Sequence, residues 1–217
     1  MTEPNPTDQY FRTRFTYDEK RDAVWREIGR YLQARYIPPD SRILDLGAGY
    51  CHFINNVRGR ERHALDASAE LPEHAAPGVS AHVRSCTRLE NFAADSLDVV
   101  FSSNLFEHLT RPELIETLGE LRRVLRRGGR LLVVQPNFKY CAADYFDDYT
   151  HVQIFTHVGL ADLLAAEGFR PLDVRARFLP FSMKSRLPKA ALLVRLYLRS
   201  PFKPMAGQML LVAENDK

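Results

Sequence analysis

The sequence predicts a single α/β domain, an open and largely parallel sheet with helices on both faces. Three observations lead there. The run Arg42-Ile43-Leu44-Asp45-Leu46 ends in Gly47-Ala48-Gly49 and then a helix-compatible segment, the pattern of a strand, a tight turn and a helix start. Buried-strand runs and helical segments then alternate as far as Gln135. Near the end, Leu172, Val174, Ala176 and Phe178 alternate like a strand with one buried face, and Met209–Ala213 is a last apolar run. A chain of 217 residues with 45% hydrophobic and 26% charged content has room for one substantial core. No internal repeat or second domain shows.

Composition excludes several classes. No apolar run reaches membrane-spanning length and the N-terminus lacks a charged-then-apolar leader, so the expected compartment is the cytoplasm. Cys51, Cys86 and Cys141 are widely spaced without a C-x-x-C pair, which argues against a disulfide framework and a cysteine zinc site. A net charge of +3 does not by itself indicate nucleic acid.

In chain order, residues 1–9 are polar and expected to fray. A helix is predicted over 18–36, capped by Asp18, with Val24, Ile28, Tyr31 and Leu32 on one face and Pro38-Pro39 as its stop. The first strand and glycine turn follow. Gly47 lets the backbone turn sharply, and Gly49 lets a ligand approach with no Cβ in the way. A short helix is predicted from His52 to Val57, a second strand from Arg62 to Leu65 ending in Asp66, and a third over Ala81–Arg84. Asp66 lies 21 residues beyond Asp45, a spacing at which a carboxylate can accept both hydrogens of a ribose diol. Leu97–Phe101 reads as a buried fourth strand, followed by a polar turn and a helical turn. Thr110-Arg111-Pro112-Glu113 is a capping box for a helix with Leu114, Leu118, Leu121 and Leu125 on one face and Gly128-Gly129 as its expected end. The basic cluster of Arg122, Arg123, Arg126 and Arg127 suits the negative end of that helix. Arg130–Gln135 is a fifth strand, and Thr156 caps a helix through Glu167.

The string Leu44-Asp45-Leu46-Gly47-Ala48-Gly49 resembles motif I of the class I S-adenosylmethionine-dependent methyltransferases, D-x-G-x-G-x-G, with Cys51 in place of the third glycine. A dinucleotide fold would instead want a glycine where His52 stands. Ser96–Leu109 resembles the same family's "fDvvfs…leHl" segment, and Val124–Val133 its "vLrpGGrllv" segment. The likeness, closest to the type 11/12 branch, covers about residues 40 to 178 and the last strand. It implies a Rossmann-like seven-stranded sheet with five parallel strands and an antiparallel C-terminal hairpin. It also implies an enzyme using S-adenosyl-L-methionine, held by Asp45, Gly47, Ala48 and Gly49, by Asp66 and Ala67, and by Asn104. The family's usual adenine-binding aspartate is absent, and Ser85 or the Cys86 backbone is expected to substitute. A helix before the first strand lies across the cofactor mouth in that family, which would bring Tyr10, Phe11, Arg14 and Arg21 near the ligand.

For an alcohol acceptor, a base must take a proton, and histidine suits that role near neutrality. His108, one helical turn past Asn104, and His151, with Asp147 or Asp148 to orient it, are the candidates. His157 and His52 read as capping and packing residues. Asp144, Asp147 and His151 could form a metal cluster on paper, but spacing alone does not support one and no metal is assigned. The expected acceptor is a small molecule: a sugar, a glycolipid or another secondary metabolite, met by Phe138, Tyr140, Tyr145, Phe146 and Tyr149. Residues 179–208 read as a basic, apolar helical insertion before the last strand, with no acid between Phe178 and Met209. It could be a lid or homodimer face, could recognise an anionic or lipid-linked acceptor, or could make peripheral membrane contact through 184–203. Rival readings are a nicotinamide-dependent oxidoreductase and a non-catalytic nucleoside-binding scaffold. Nucleic acid is not expected as a partner, since no N-P-P-Y-type motif is present.

Overall fold

The computed structural model describes residues 19–181 and 190–217. Asp18, Tyr10, Phe11 and Arg14, and residues 182–189 of the basic insertion, lie outside the described residues. Seven strands form one sheet: β1 Arg42–Leu46, β2 Glu61–Asp66, β3 Ser80–Val83, β4 Leu97–Ser103, β5 Leu125–Pro136, β6 Phe169–Pro180 and β7 Ala206–Asn215. Their order is β3-β2-β1-β4-β5-β7-β6. β1 to β5 pair in parallel, and β7 inserts antiparallel between β5 and β6. The helices are α1 Glu19–Tyr36, a single turn α2 Leu71–His74, α3 Arg111–Val124, a single turn α4 Phe138–Cys141, α5 His157–Ala166 and α6 Ala191–Arg199.

The period of two along the central strands builds two cores. Leu44, Leu46, Val100, Leu131, Val133, Met209 and Leu211 face one side, against Leu114, Leu118 and Leu121 of α3 and Leu160 and Leu164 of α5. Ile43, Val99, Phe101, Leu132, Val134 and Leu210 face the other, against Ile28, Tyr31 and Leu32 of α1, Phe53 and Phe178. The expected apolar face of α1 is therefore the packed one.

Two elements differ from the sequence expectation. The segment after the glycine turn is only a 3-10 turn, Ile54–Asn56, with Phe53, Ile54 and Val57 buried. α3 stops at Val124 rather than at Gly128, and Arg126 and Arg127 belong to β5. The reason is non-local. The buried Asn215 of β7 donates its side-chain N–H to the Arg122 and Leu125 carbonyls at 2.9 and 2.8 Å, satisfying acceptors the helix end would leave open. Arg126 turns to Asp98 at 2.6 Å, and Arg123 to Glu120 and the carbonyls of Leu89 and Phe92. The capping box at Thr110 and Glu113 forms as its residues predict.

Between β6 and β7, helix α6 docks on α1. Leu198 is buried and Arg195 pairs at 3.0 Å with Glu27, a buried carboxylate that also takes Arg30 at 2.7 Å. The opposite side presents Leu192, Leu193 and Leu196 to solvent, with Phe202 and Met205 beyond.

Asp45 sits inside the second core, 3% exposed, and burial, with the nearby Asp66 charge, pushes its carboxyl up to about 8. A carboxyl raised in the folded state favours the protonated form. Its contribution is whole below the unfolded value near 3.8 and is lost as pH rises through about 8. Wild-type melting temperature, measured without ligand, is therefore expected to drop relative to Asp45→Asn between pH 5 and 8 and to converge with it near pH 4. Parallel curves across that range would show that Asp45 is ionised in the fold.

Candidate active site

The order of the sheet places its switch point between β1, which leads outward to β2 and β3, and β4, which leads to β5. The loops leaving these two strands touch. Gly47 has a φ of +73°, and a Cβ on it would lie 3.1 Å from the Leu105 side chain. Ser102 donates its hydroxyl to the Leu46 carbonyl at 3.0 Å. Gly49 also has positive φ, and so does Cys51, at +57°. The position that departs from a three-glycine turn thus keeps the left-handed backbone, and a small side chain, wholly buried, carries it.

Asp66, at the end of β2, fastens this turn. One carboxylate oxygen accepts the Gly49 N–H at 2.9 Å and the other the Ser68 N–H at 2.9 Å, and the Ala67 amide also bonds it. Gly47 and Ala48 donate to the Leu65 carbonyl. A carboxylate offers about four lone-pair positions. With three amides bonded, Asp66 keeps about one such position open, enough for one hydroxyl of a diol. Burial raises its pKa, against those amide hydrogen bonds. Arg84 donates its N–H to the Asp66 carbonyl at 2.9 Å, which brings the β3 end alongside. Ser85, next along, is exposed and bonded to Thr87, whereas Cys86 packs on the core and takes the Thr117 hydroxyl at 3.6 Å. Of the two expected substitutes at the adenine position, Ser85 is the one open to solvent.

Across the switch point, Asn104 has a φ of +51°, and its N–H donates to the Val134 carbonyl. Its side-chain oxygen accepts from Gln208 of β7 at 3.1 Å. No local sequence signal links those two residues, which lie 104 positions apart.

The second half of the site is a buried polar cluster after β4 and β5. A 3-10 turn, Phe106–His108, carries Glu107 and His108, and residues 145–153 fold back over it. The Glu107 carbonyl accepts the N–H groups of Val152 and Gln153 at 2.9 and 3.1 Å. This brings His108 and His151 together, with ring centroids 4.9 Å apart. His151 Nδ1 lies 2.7 Å from the Tyr145 carbonyl, and His108 Nδ1 lies 2.9 Å from the Thr150 hydroxyl, which itself donates to Asp148 at 2.6 Å. Burial and the neighbouring His151 push His108 down to about 4, so it is neutral at physiological pH. For Asp148, burial is outweighed by the Thr150 hydrogen bonds and the two histidines, and its carboxyl falls below the usual range. Glu107 is fully buried, no other described residue hydrogen-bonds either of its carboxylate oxygens, and burial, against the pull of its own backbone N–H, pushes it up to about 8.

The structure thus brings His108 and His151 into one cluster, with Asp148 as the acid bonded through Thr150. Asp147 is exposed, its N–H on the Asp144 carbonyl. Glu107 was missed although it adjoins His108, because nothing in a Phe-Glu-His string says which way the acid turns. Among the expected aromatic wall, Tyr145 is wholly buried beneath His151, its hydroxyl donating to Gln153, while Phe146 and Tyr149 are exposed. His157 is in hydrogen-bond contact with Asn137, and His52 is buried beside Tyr50. Arg21, the described member of the expected mouth group, is half-buried on α1.

Comparison with known proteins agrees with this geometry. Residues 17–174 match the family described as a methyltransferase domain. A malonyl-[acyl-carrier protein] O-methyltransferase of Methylococcus capsulatus is 34% identical over 179 residues, 72% of this chain and 63% of that protein. An uncharacterised protein of Methanocaldococcus jannaschii is 25% identical over 62% of this chain and 57% of its own length, so the chain spans about three fifths of both relatives. Among solved structures, a chain of the complex between the Haloferax volcanii Trm112 methyltransferase activator and a methyltransferase superposes with a TM-score of 0.69 at 16% identity, covering 99% of each chain. A SAM-dependent methyltransferase of Archaeoglobus fulgidus gives 0.64 at 19% identity over 87% of this chain and 94% of its own. These two likenesses speak to the fold. With a glycine turn pinned by the β2 carboxylate at the switch point and a family match over most of its length, the chain belongs to the class I S-adenosylmethionine-dependent methyltransferases.

Proposed function

We propose that this protein transfers a methyl group from S-adenosylmethionine to an oxygen of a small-molecule acceptor, a hydroxyl on a sugar, glycolipid or other secondary metabolite. The observation that carries the reading is the pairing of two half-sites across one switch point: the glycine turn with Asp66, and the buried His108–His151 pair with Asp148. On the first, Gly47, Ala48 and Gly49 would leave room for the cofactor, Asp66 would accept from its ribose, and Ser85 and Asn104 would flank it. The cofactor supplies a methyl on a sulfonium, an electrophile already activated. The protein's work is therefore to align the acceptor and to manage its proton.

The second half-site fits that work. His151 is held by the Tyr145 carbonyl and His108 by Thr150, so each ring is oriented before an acceptor arrives. A neutral imidazole in a dry cluster can take a proton, and Asp148 would stabilise the imidazolium that results. The named activity of the Methylococcus capsulatus relative, O-methyl transfer, supports oxygen as the acceptor atom. That relative raises a second reading, an acyl-carrier-linked acceptor. A carboxylate has no proton to lose, however, and the paired histidines favour a hydroxyl.

For Asp66→Ala, affinity for S-adenosylmethionine in calorimetry is expected to fall about 10- to 100-fold, the loss of charge-assisted hydrogen bonds worth about 1.5–3 kcal/mol. Wild-type affinity would remove Asp66 from the cofactor site. For His151→Ala, turnover on a hydroxyl acceptor is expected to fall by about 10² to 10⁴ with cofactor affinity unchanged, and Asp148→Asn should fall in the same direction. Turnover equal to wild type in both variants would place proton transfer elsewhere.

A further inference from the structure

The geometry points to a divalent transition-metal site formed by Glu107, His108 and His151, with zinc the ion its two-imidazole, one-carboxylate donor set suits. Among the described residues this is the one group of three such side chains whose donor atoms converge, each offering one atom within 4.8 Å of the others. A tetrahedral zinc site with bonds of about 2.0–2.2 Å needs donors roughly 3.4 Å apart, a closure within the reach of side-chain rotation.

Three independent features support an ion there. The first is Glu107. It is 0% exposed, and among the described residues no other residue hydrogen-bonds either carboxylate oxygen. Buried acceptors are nearly always satisfied, and a buried carboxylate with no partner residue is costly unless a cation or proton answers it. The second is the orientation of the imidazoles. Histidine ligands generally donate their other ring N–H to a carbonyl or carboxylate, which fixes the tautomer. His151 Nδ1 faces the Tyr145 carbonyl at 2.7 Å. His108 Nδ1 faces the Thr150 hydroxyl at 2.9 Å and the Thr150 carbonyl at 3.3 Å. The Thr150 hydroxyl already donates to Asp148, so it accepts from His108. In both rings Nδ1 then carries the hydrogen and Nε2 the lone pair, the form in which imidazole binds metal. The third is the scaffold. Val152 and Gln153 clasp the Glu107 backbone carbonyl, which fixes the strand of chain bearing His151 to the turn bearing the other two donors. The site is thus assembled from a turn after β4 and a loop after β5 by hydrogen bonds that need no ion.

Three protein donors leave a fourth position open, the arrangement of catalytic rather than structural zinc. An ion there would occupy the lone pairs of both imidazoles, so with the metal bound it would be the ion as a Lewis acid, in place of a free imidazole, that activates the acceptor oxygen. That role rests on the hydroxyl-acceptor reading above, but metal binding itself does not.

The test uses tag-free protein stripped with a chelator and titrated with Zn²⁺ in a calorimeter. One equivalent is expected to bind, with affinity reduced at least about 100-fold in Glu107→Gln and in His151→Ala, and unchanged in Asp144→Asn, an exposed acid outside the triad. Co²⁺ in place of Zn²⁺ should give the visible absorption of a four-coordinate ion in the wild type, and lose it in both triad variants. Retained S-adenosylmethionine binding certifies that a variant is folded. If Glu107→Gln fails that check, His151→Ala carries the comparison. No stoichiometric uptake by the wild type, or unchanged affinity in a folded triad variant, overturns the metal site. Zinc uptake lost in the triad variants, with no methylation of hydroxyl acceptors, upholds the site and overturns the acceptor reading instead.

Discussion

The hydrogen bonds that Asp66 accepts from Gly49 and Ser68 hold the rest of the site in place. Two of the three left-handed residues of this turn, at 47, 49 and 51, are glycines with no side chain to pack. The carboxylate at the end of β2 supplies the definition, since charged acceptors make stronger hydrogen bonds than neutral ones. The parallel register of β1 on β2, with Leu46 opposite Leu65, is what delivers that carboxylate to the turn. A strand pairing more than a dozen residues apart in sequence thus becomes a fixed loop.

The acceptor side is organised differently. There the backbone of Glu107 serves as the anchor and its side chain meets no other described residue by a hydrogen bond, while the histidines on either side are tied to carbonyl and hydroxyl oxygens. One half of the site is therefore a satisfied cradle, and the other holds a buried carboxylate that no other described residue meets. Functional sites are where such local dissatisfaction is expected to persist, sustained by well-packed surroundings such as the wholly buried Tyr145 and Phe106.

Much of this was legible in the residues. The alternation around Leu44, Val100 and Leu132 encodes a two-faced sheet, the capping box at Thr110 marks its helix, and the 21-residue interval from Asp45 to Asp66 places the carboxylate. What escaped the sequence depends on contacts between distant segments. The end of α3 could not be read because Asn215 sets it. Gln208 on Asn104 could not be read because β7 returns between β5 and β6. Glu107 carries no local mark of being buried, and only the fold-back of 145–153 encloses it. The basic helix α6 reads as an insertion, but its Arg195 meets Glu27, a pairing of residues 168 apart that periodicity cannot reveal.

The Asn215 amide that closes α3 has a consequence for how the chain assembles. The last strand supplies the cap for a helix whose residues precede it by some ninety positions. Without β7, the carbonyls at the carboxyl end of that helix lack the Asn215 donor and the outer edge of β5 has no partner strand. Docking of the final strand is therefore the step that locks the earlier half, and it carries the loop-closure entropy of nearly half the polypeptide. A nascent chain still lacking this segment would expose the Leu131–Val134 ridge as an open template for another molecule's strand.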